Sequence, residues 1–530
     1  MLKSLIFHRE NLNVPVNIAE PEYFHDLNLD QIINKIVKSK ESFNLTEYFY
    51  FLSQDLESIQ FRQDIMRDME DEVLYNSIAL FSKELSVLRS TLARIEKLYY
   101  PLQQQCSLLE EAHHYQQTLK NLKLHLHDLD LGSRGLQTFS DELQKLLESN
   151  FFREFESRTS VLIKKLESIR YAVVVTDNKV TVKPCLDDDD YAAEILHDWR
   201  LNETLLTVED NGSVTGSGYD LDHVQARILE GVAQLYPEPF QELNAYCNEY
   251  MQPTAPKETK YRAQSLEVAR YPFMALDILE RERELQFYLA YLGYIAPLKR
   301  LGLPFSIPQL QIGKDTIQAE QTFDLALAIS LMEESSRQVV VNNIDLSEGE
   351  KIFVVTGPNQ GGKTTFARTF GQIHHLAGLG CPVPGKNTHL CLCDGIYTHF
   401  SYREDINAGH GKLEEDLLRL HENLKKATNS SIFILNELFD STTYEDALYL
   451  SEQIIHKLLK KNSLTVWVTF IDALASISPS VVSLMSMVDS QDLSKRTFKI
   501  CRKPADGLAY ALSLAAKYGL TYAALMDKIK

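Results

Sequence analysis

Apolar residues recur at helical spacing through most of residues 28–170. The first pattern joins Ile32, Ile33 and Ile36 and follows Asp30, a residue type that often caps the start of a helix. Prolines, which interrupt helices, are scarce in this range. The sequence therefore predicts a mainly helical region that begins near Asp30.

The apolar pattern changes after residue 170. Two short β-rich runs, residues 171–175 and 180–182, flank a turn-forming Asp-Asn pair and predict a β-hairpin. An acidic stretch over residues 187–210 follows, which is typical of a solvated face or loop. The hairpin and the acidic stretch thus interrupt the helical pattern.

A second change of pattern divides the chain near residue 300. A helical pattern begins at Pro272, and Pro297, Pro304 and Pro308 are expected to end it. From residue 305 onward, apolar runs of strand length alternate with helical patterns, which indicates a parallel α/β sheet. We therefore expect a mainly helical domain over residues 1–300 and an α/β domain over residues 301–530.

One motif in the α/β domain has a specific chemistry. An apolar run, residues 352–355, is followed by Gly-Pro-Asn-Gln-Gly-Gly-Lys-Thr, which fits the phosphate-binding pattern G-x-x-x-x-G-K-[ST]. Glycines let backbone N–H groups turn around phosphates, and the following helix adds partial positive charge. The predicted nucleotide-binding residues are Gly357, Pro358, Asn359, Gln360, Gly361, Gly362, Lys363, Thr364 and Thr365.

The last residues of this motif have separate expected roles. Lys363 is predicted to reach the β- and γ-phosphates as a catalytic residue, and the Thr364 hydroxyl is predicted to ligate magnesium. The expected cofactors are therefore ATP and Mg²⁺.

A second apolar strand, residues 432–435, ends in Asn436 and Glu437. ATPases with this loop usually place an Asp first, to hold the magnesium shell, and many follow it with a Glu that activates water. We predict that Asn436 and Glu437 complete the metal site and that Glu437 is the catalytic base. An amide adds no negative charge, so we expect slow hydrolysis with weak magnesium dependence.

A third apolar strand, residues 464–469, precedes Phe470. Many related ATPases place a histidine that senses the γ-phosphate at the end of such a strand, and a phenyl ring cannot replace it as a hydrogen-bond donor. Either Thr469 or Asp472 takes over part of that role, or the sensor is absent.

Charge and cysteine content narrow the class of protein. A net charge of −19 counts against a broad nonspecific nucleic-acid surface, although a local basic channel is compatible with it. Seven cysteines without a C-x-x-C pair predict reduced thiols in a cytoplasmic protein. No apolar stretch has membrane-spanning length.

The narrow form of the loop, Gly-Pro-Asn-x-Gly-Gly-Lys-[Ser/Thr], resembles that of the DNA mismatch repair MutS family. Residues 342–346 look like the family's Asn-Asp segment, and residues 441–446 are similar to its Gly-Thr-Ser-Thr-Tyr-Asp stretch. The resemblance is specific over about residues 330–525 and looser over residues 28–300. It implies a C-terminal α/β P-loop ATPase domain of the ABC/MutS type, preceded by a helical core and lever. The small β-hairpin, with residues 171–221 around it, lies where the family inserts its DNA clamp, so the resemblance implies a clamp-like insertion there.

Further expectations follow from the resemblance alone. Asn342 corresponds to the residue that contacts the adenine. The family closes ATP between two subunits, and residues 405–414 match its signature loop, which approaches from the opposite chain. Lys412 is then a candidate to act in trans, although an exposed lysine at a helix start explains it equally well. The resemblance implies a homodimer that contacts DNA, without the family's mismatch-reading and Smr domains.

Three functions therefore stay open. The leading one is a DNA-binding ATPase related to mismatch repair, in which ATP-driven dimer closure is coupled to DNA contact. The acidic hairpin region favours a switch or scaffold ATPase that acts on a protein or RNA partner. Asn436 and Phe470 suggest a third function, namely ATP binding without turnover.

Overall fold

The computed structural model describes residues 4–7, 18–176, 179–184, 221–251, 271–313, 316–334, 338–400, 411–492, 495–505 and 520. The acidic stretch of the predicted insertion, most of the predicted signature loop and nearly all of the C-terminal tail therefore lie outside the described residues. No helix within the described ranges is long and apolar enough to cross a membrane.

Packing divides the chain into two compact units. The first contains residues 1–70, 133–135 and 286–530, and the second contains residues 71–132 and 136–285. The division by packing differs from the sequence division at residue 300, because residues 1–70 pack with the C-terminal part of the chain.

The helices are named here in chain order. Those before residue 170 are α1 (Tyr23–Asp26), α2 (Leu29–Lys38), α3 (Thr46–Tyr50), α4 (Leu56–Asp68), α5 (Glu72–Ile95), α6 (Pro101–His127), α7 (Arg134–Glu148) and α8 (Asn150–Glu167). Those after it are α9 (His223–Leu235), α10 (Pro237–Tyr246), α11 (Leu276–Arg300), α12 (Leu325–Glu334), α13 (Lys363–Gly378), α14 (Lys412–Lys426) and α15 (Tyr444–Lys461). The predicted helical character of residues 28–170 is confirmed.

Two predicted helix boundaries are wrong. Asp30 does not cap the first long helix, because α2 begins at Leu29 and Asp30 lies in its first turn. A carboxylate there still interacts favourably with the positive end of the helix. Pro297 does not end α11, which runs from Leu276 to Arg300. Pro297 lies inside the helix and removes one backbone donor, and the bonding continues after it, with the Leu301 N–H donating to the Pro297 carbonyl at 3.2 Å.

The strands are also numbered along the chain. They are β1 (Tyr171–Thr176), β2 (Lys179–Pro184), β3 (Phe305–Ser306), β4 (Gln309–Gln311), β5 (Ile317–Thr322), β6 (Asn342–Leu346), β7 (Ile352–Thr356), β8 (Val383–Pro384), β9 (Lys386–Cys391), β10 (Ile396–Phe400), β11 (Ile432–Asn436), β12 (Leu464–Val468), β13 (Val481–Val488) and β14 (Arg496–Arg502). Strands β1 and β2 pair antiparallel, which confirms the predicted hairpin.

The largest sheet has the strand order β10–β11–β12–β7–β13–β14. The strands from β10 to β13 in this order are parallel, and β14 runs antiparallel to β13 at the edge. Strands β7, β11 and β12 are buried at every position, as expected for a parallel sheet covered on both faces. Asn436 at the end of β11 pairs in register with Phe400 and Val468, so the carboxyl ends of these strands are level.

Helix α13 is enclosed within the first unit. The Gln372 side-chain amide donates to the Leu27 carbonyl at 2.9 Å. A Cβ added at Gly371 would lie 2.5 Å from Leu27 Cδ1 and 2.6 Å from Ile434 Cδ1. The helix is therefore wedged between the segment around Leu27 and the sheet, which fixes where its first residue lies.

Two buried histidines lie on α13. His375 Nε2 donates to the Phe49 carbonyl at 3.0 Å and His375 Nδ1 accepts from the Tyr23 hydroxyl at 3.1 Å. His374 Nδ1 donates to the Phe370 carbonyl at 2.8 Å. Burial lowers the pKa of each histidine to about 4, because a charged imidazole is poorly solvated there.

These histidines make the first unit sensitive to acid. The pKa of each histidine is lower in the folded chain than in the unfolded chain. As the pH falls from about 6.5 to 4, these two side chains therefore bind protons only in the unfolded chain, and the free energy of unfolding decreases across that window. Within that window each histidine should lower the free energy of unfolding by about 1.4 kcal/mol per pH unit. We expect His374→Phe to reduce the slope of the free energy of unfolding against pH by the contribution of one histidine.

The measurement is urea unfolding at a series of pH values, followed by the fluorescence of the buried Trp467 with Trp199 replaced by Phe. Identical slopes for the parent and His374→Phe proteins would show that His374 is not buried in its neutral form.

Candidate functional site

Residues 357–362 connect β7 to α13 and form a turn that we call the glycine loop. The loop lies at the carboxyl edge of the parallel sheet, where open α/β sheets bind ligands. Gly357 and Gly362 have φ values of +106° and +92°, which glycine adopts without a steric penalty. The path of the loop therefore requires glycine at both positions.

Ser486 on β13 contacts the glycine loop and fixes its position. Its hydroxyl donates to the Gly361 carbonyl at 2.8 Å, and the residue is fully buried. A Cβ added at Gly361 would lie 2.0 Å from Ser486 Oγ, and one at Gly357 would lie 2.9 Å from the Ser486 carbonyl oxygen. The glycine loop thus approaches β13 more closely than any residue with a side chain would allow.

The side chain of Lys363 folds back over the glycine loop. Its ammonium group donates to the carbonyl oxygens of Gly357 at 2.8 Å and Pro358 at 3.1 Å, and to Asn359 Oδ1 at 3.2 Å. The residue is only 6% exposed. These bonds place a buried positive charge directly on the loop.

Burial and two charged residues act on Lys363. Burial lowers the pKa of Lys363, attraction to Glu437 raises it, and repulsion from Arg496 lowers it. The Arg496 Nε–H also donates to the Asn359 carbonyl at 3.2 Å. Arg496 on β14 is therefore a second cation beside the glycine loop.

Thr364 joins the glycine loop to β11. Its hydroxyl donates to Asn436 Oδ1 at 2.9 Å, and Asn436 is 8% exposed. The sequence assigned these two side chains to one metal site, and they lie in contact.

Glu437 follows Asn436 in a left-handed backbone conformation, with φ +52°. Its N–H donates to the Val468 carbonyl at 2.9 Å, which continues the pairing between β11 and β12 for one residue. Glu437 thus lies at the carboxyl edge of the sheet, as the glycine loop does.

Thr364 and Asn436 offer a donor set suited to magnesium. Magnesium prefers oxygen ligands and, in nucleotide sites, takes one or two from the protein and the others from phosphate and water. Thr364 and Asn436 supply two adjacent neutral oxygens. Among the described residues no group of three or more His, Cys, Asp or Glu side chains is placed to hold a metal. The two oxygens fit a metal that arrives with a phosphate.

Asn342 lies on β6 and bridges to β14. Its side-chain amide donates to the Phe498 carbonyl at 3.1 Å, and its Oδ1 accepts from the Ile500 N–H at 2.8 Å. The structure therefore gives Asn342 a main-chain bridging role, and its contact with adenine stays a prediction.

Lys412 begins α14 and forms an ion pair within the chain. Its Nζ lies 2.6 Å from Asp440 Oδ1, and the two side chains are 20% and 33% exposed. Asp440 lies three residues after Glu437 in the sequence. The structure thus links Lys412 to the segment that carries Glu437.

The end of β12 carries no imidazole. Phe470 is 52% exposed, and the Thr469 hydroxyl accepts from the Ile471 N–H at 3.1 Å. Asp472 begins a 3₁₀ helix, Asp472–Ser476. Whether Thr469 or Asp472 takes over part of the role of the sensing histidine, or the sensor is absent, stays open.

Two residues of the site were missed in the sequence. Ser486 and Arg496 lie on β13 and β14, beyond the third predicted strand, and no motif contains them. Ser-containing strands are common, so only the pairing of β13 with β7 reveals that Ser486 lies under the loop.

The close approach of the loop to β13 leads to a stability prediction. Gly361→Ala should destabilise the first unit by about 1–3 kcal/mol, because the added methyl group overlaps Ser486 Oγ. Replacing Ser486 with Gly in the same chain should recover part of that loss. Gly411→Ser is a matched control, since a Cβ at Gly411 meets nothing within 4 Å. Urea unfolding of the variants checks this, and an unchanged free energy for Gly361→Ala would contradict the observed geometry.

Comparison with known proteins places this site in a family. A family model described as MutS domain V matches residues 353–527. The chain is 29% identical over 202 residues to the DNA mismatch repair protein Msh3 of Homo sapiens, a match that covers 36% of this chain and 18% of Msh3. It is 26% identical over 187 residues to the DNA mismatch repair protein MutS of Halalkalibacterium halodurans, covering 34% and 22% of the two chains.

A third relative carries an endonuclease name. The endonuclease MutS2 of Gemmatimonas aurantiaca is 29% identical over 187 residues, covering 34% of this chain and 23% of that protein. The chain thus spans less than a quarter of the length of each of these relatives. The matched range begins within β7 and includes the glycine loop, α13 and the strand that ends in Asn436. Residues 353–527 of this chain thus match MutS domain V, and part of the chain is similar to proteins that carry MutS and Msh3 names.

Proposed function

We propose that this protein is a MutS-like ATPase that binds Mg²⁺–ATP at the glycine loop and couples its turnover to contact with DNA. The observation that carries the proposal is the arrangement of Lys363, Thr364 and Asn436 at the carboxyl edge of the sheet. The match to MutS domain V supports it, and three relatives in different organisms carry mismatch repair or endonuclease names.

The glycine loop binds the phosphates in this proposal. Loop N–H groups and the first turn of α13 supply donors and partial positive charge, and Lys363 exchanges its bonds to loop carbonyls for bonds to phosphate oxygens. Gln360 and Thr365 complete the predicted loop contacts. Asn342 is proposed to lie near the adenine.

Thr364 and Asn436 would hold the magnesium, which would compensate phosphate charge when bound. Thr364 supplies a hydroxyl oxygen and Asn436 an amide oxygen, so the protein adds no negative charge from either residue. Glu437 accepts the proton of the attacking water, and turnover is slow because the first position lacks a carboxylate.

The proposed assembly is a homodimer that closes when ATP binds, with Lys412 as the residue offered to the opposite site. A cytoplasmic location is part of the proposal, because the six cysteines within the described ranges are free thiols. The residues of the predicted clamp insertion from 185 to 220 lie outside the described part of the chain.

A second function is favoured by the charge of the chain. A net charge of −19 opposes extensive phosphate contacts, so a switch or scaffold ATPase for a protein or RNA partner is the alternative. Both functions use the same ATPase site. They differ in whether DNA, or a protein or RNA partner, changes the rate of ATP turnover.

The test is Mg²⁺–ATP turnover at physiological salt, with single-stranded, duplex, mismatched and branched DNA. We expect one DNA form to change the rate. We expect Glu437→Gln to lower kcat by about 100-fold or more while retaining ATP, since a general base contributes that much. Lys363→Ala should weaken ATP binding by about 10- to 100-fold, because charge-assisted bonds are lost.

The outcomes separate the alternatives. Turnover that is lost in Glu437→Gln but indifferent to every DNA form would favour the protein or RNA partner. ATP binding without any turnover would support the binding-only function, and absence of ATP binding would refute the proposal.

A further inference from the structure

We propose that Asp440 is a positioning residue that holds Lys412 against the segment following the proposed base Glu437, until a phosphate of the nucleotide bound in the opposite site replaces its carboxylate. This inference rests on the proposed ATPase function and adds a residue to it. The evidence is an ion pair, a helix start and a strained turn within the first unit.

Lys412 occupies an electrostatically unfavourable place. It is the first residue of α14, where the helix already has partial positive charge. The preceding Gly411 offers no side-chain cap to that helix end. The Asp440 carboxylate at 2.6 Å offsets this cost and gives Lys412 one preferred position.

Asp440 is held by a strained turn. Glu437 and Phe439 have φ values of +52° and +66°, a region that bulky side chains rarely adopt. Leu438 and Phe439 are 1% and 0% exposed, so their burial anchors the turn. Strain of this kind persists only where the surrounding structure enforces it, and it is concentrated at functional sites. The turn therefore fixes Glu437 and Asp440 relative to each other.

The ion pair between Lys412 and Asp440 links this turn to α14, and it is weak enough to be exchanged for another partner. Both side chains are partly exposed, and exposed ion pairs are weak. A polyphosphate carries more charge than one carboxylate, so it is the stronger partner for an ammonium group. Asp440 thus competes with phosphate for Lys412, and removing its charge should help the nucleotide.

The test compares Asp440→Asn, Lys412→Gln and the charge exchange Lys412→Asp/Asp440→Lys, each measured for kcat, KM and affinity for a fluorescent ATP analogue. We expect Asp440→Asn to raise affinity or turnover about two- to fivefold, the equivalent of one exposed ion pair. Lys412→Gln should lower the affinity for the ATP analogue or the turnover rate by a similar or larger factor. The charge exchange should behave like Lys412→Gln, although it restores an ion pair.

A purely structural ion pair gives the opposite pattern. Asp440→Asn and Lys412→Gln would then lower turnover alike, and the charge exchange would recover it, which would overturn the inference. The matched control is the exposed pair Lys35–Glu333, at 2.8 Å between α2 and α12. Lys35→Gln and Glu333→Gln should leave kcat, KM and affinity unchanged.

The design also separates failure of the inference from failure of the proposed function. If the unaltered protein binds ATP without turnover, the analogue affinities of the same variants decide the role of Asp440. If it binds no ATP, both proposals fall. If it turns over ATP and Asp440→Asn lowers that rate, only the inference falls.

Discussion

The close approach between the glycine loop and β13 is the constraint on which the candidate site depends. Gly361 carries no Cβ, so its carbonyl can accept the Ser486 hydroxyl at 2.8 Å. That contact fixes the turn that leads into α13, and with it the positions of Lys363 and Thr364. A residue with a side chain at Gly361 would push the loop away from the sheet, and both side chains would move with it.

The packing around α13 is the second constraint on the position of the glycine loop. Gly371 allows the helix to contact both Leu27 and Ile434, so the segment before α2 packs against α13. This explains why residues 1–70 belong to the same compact unit as the sheet. The geometry of the glycine loop is thus set from two sides, by β13 and by α13.

Much of the sheet was predictable from the sequence, because buried parallel strands are local apolar runs and the glycine loop is a local motif. The contact of Thr364 with Asn436, 72 residues apart, was predictable only in part, through the expected metal site. Ser486 and Arg496 could not be predicted, since the sheet order brings their strands to the loop. Local signals also failed at Pro297, which lies within α11 although proline disfavours the interior of a helix.

We propose that magnesium and ATP bind where Thr364 contacts Asn436, and that this site works without the usual carboxylate. The most direct test is the Mg²⁺ dependence of ATP turnover for the unaltered protein and for Asn436→Asp. We expect Asn436→Asp to reach half-maximal turnover at an Mg²⁺ concentration about tenfold lower, because a charged ligand replaces a neutral one. An unchanged rate and an unchanged Mg²⁺ requirement would contradict it.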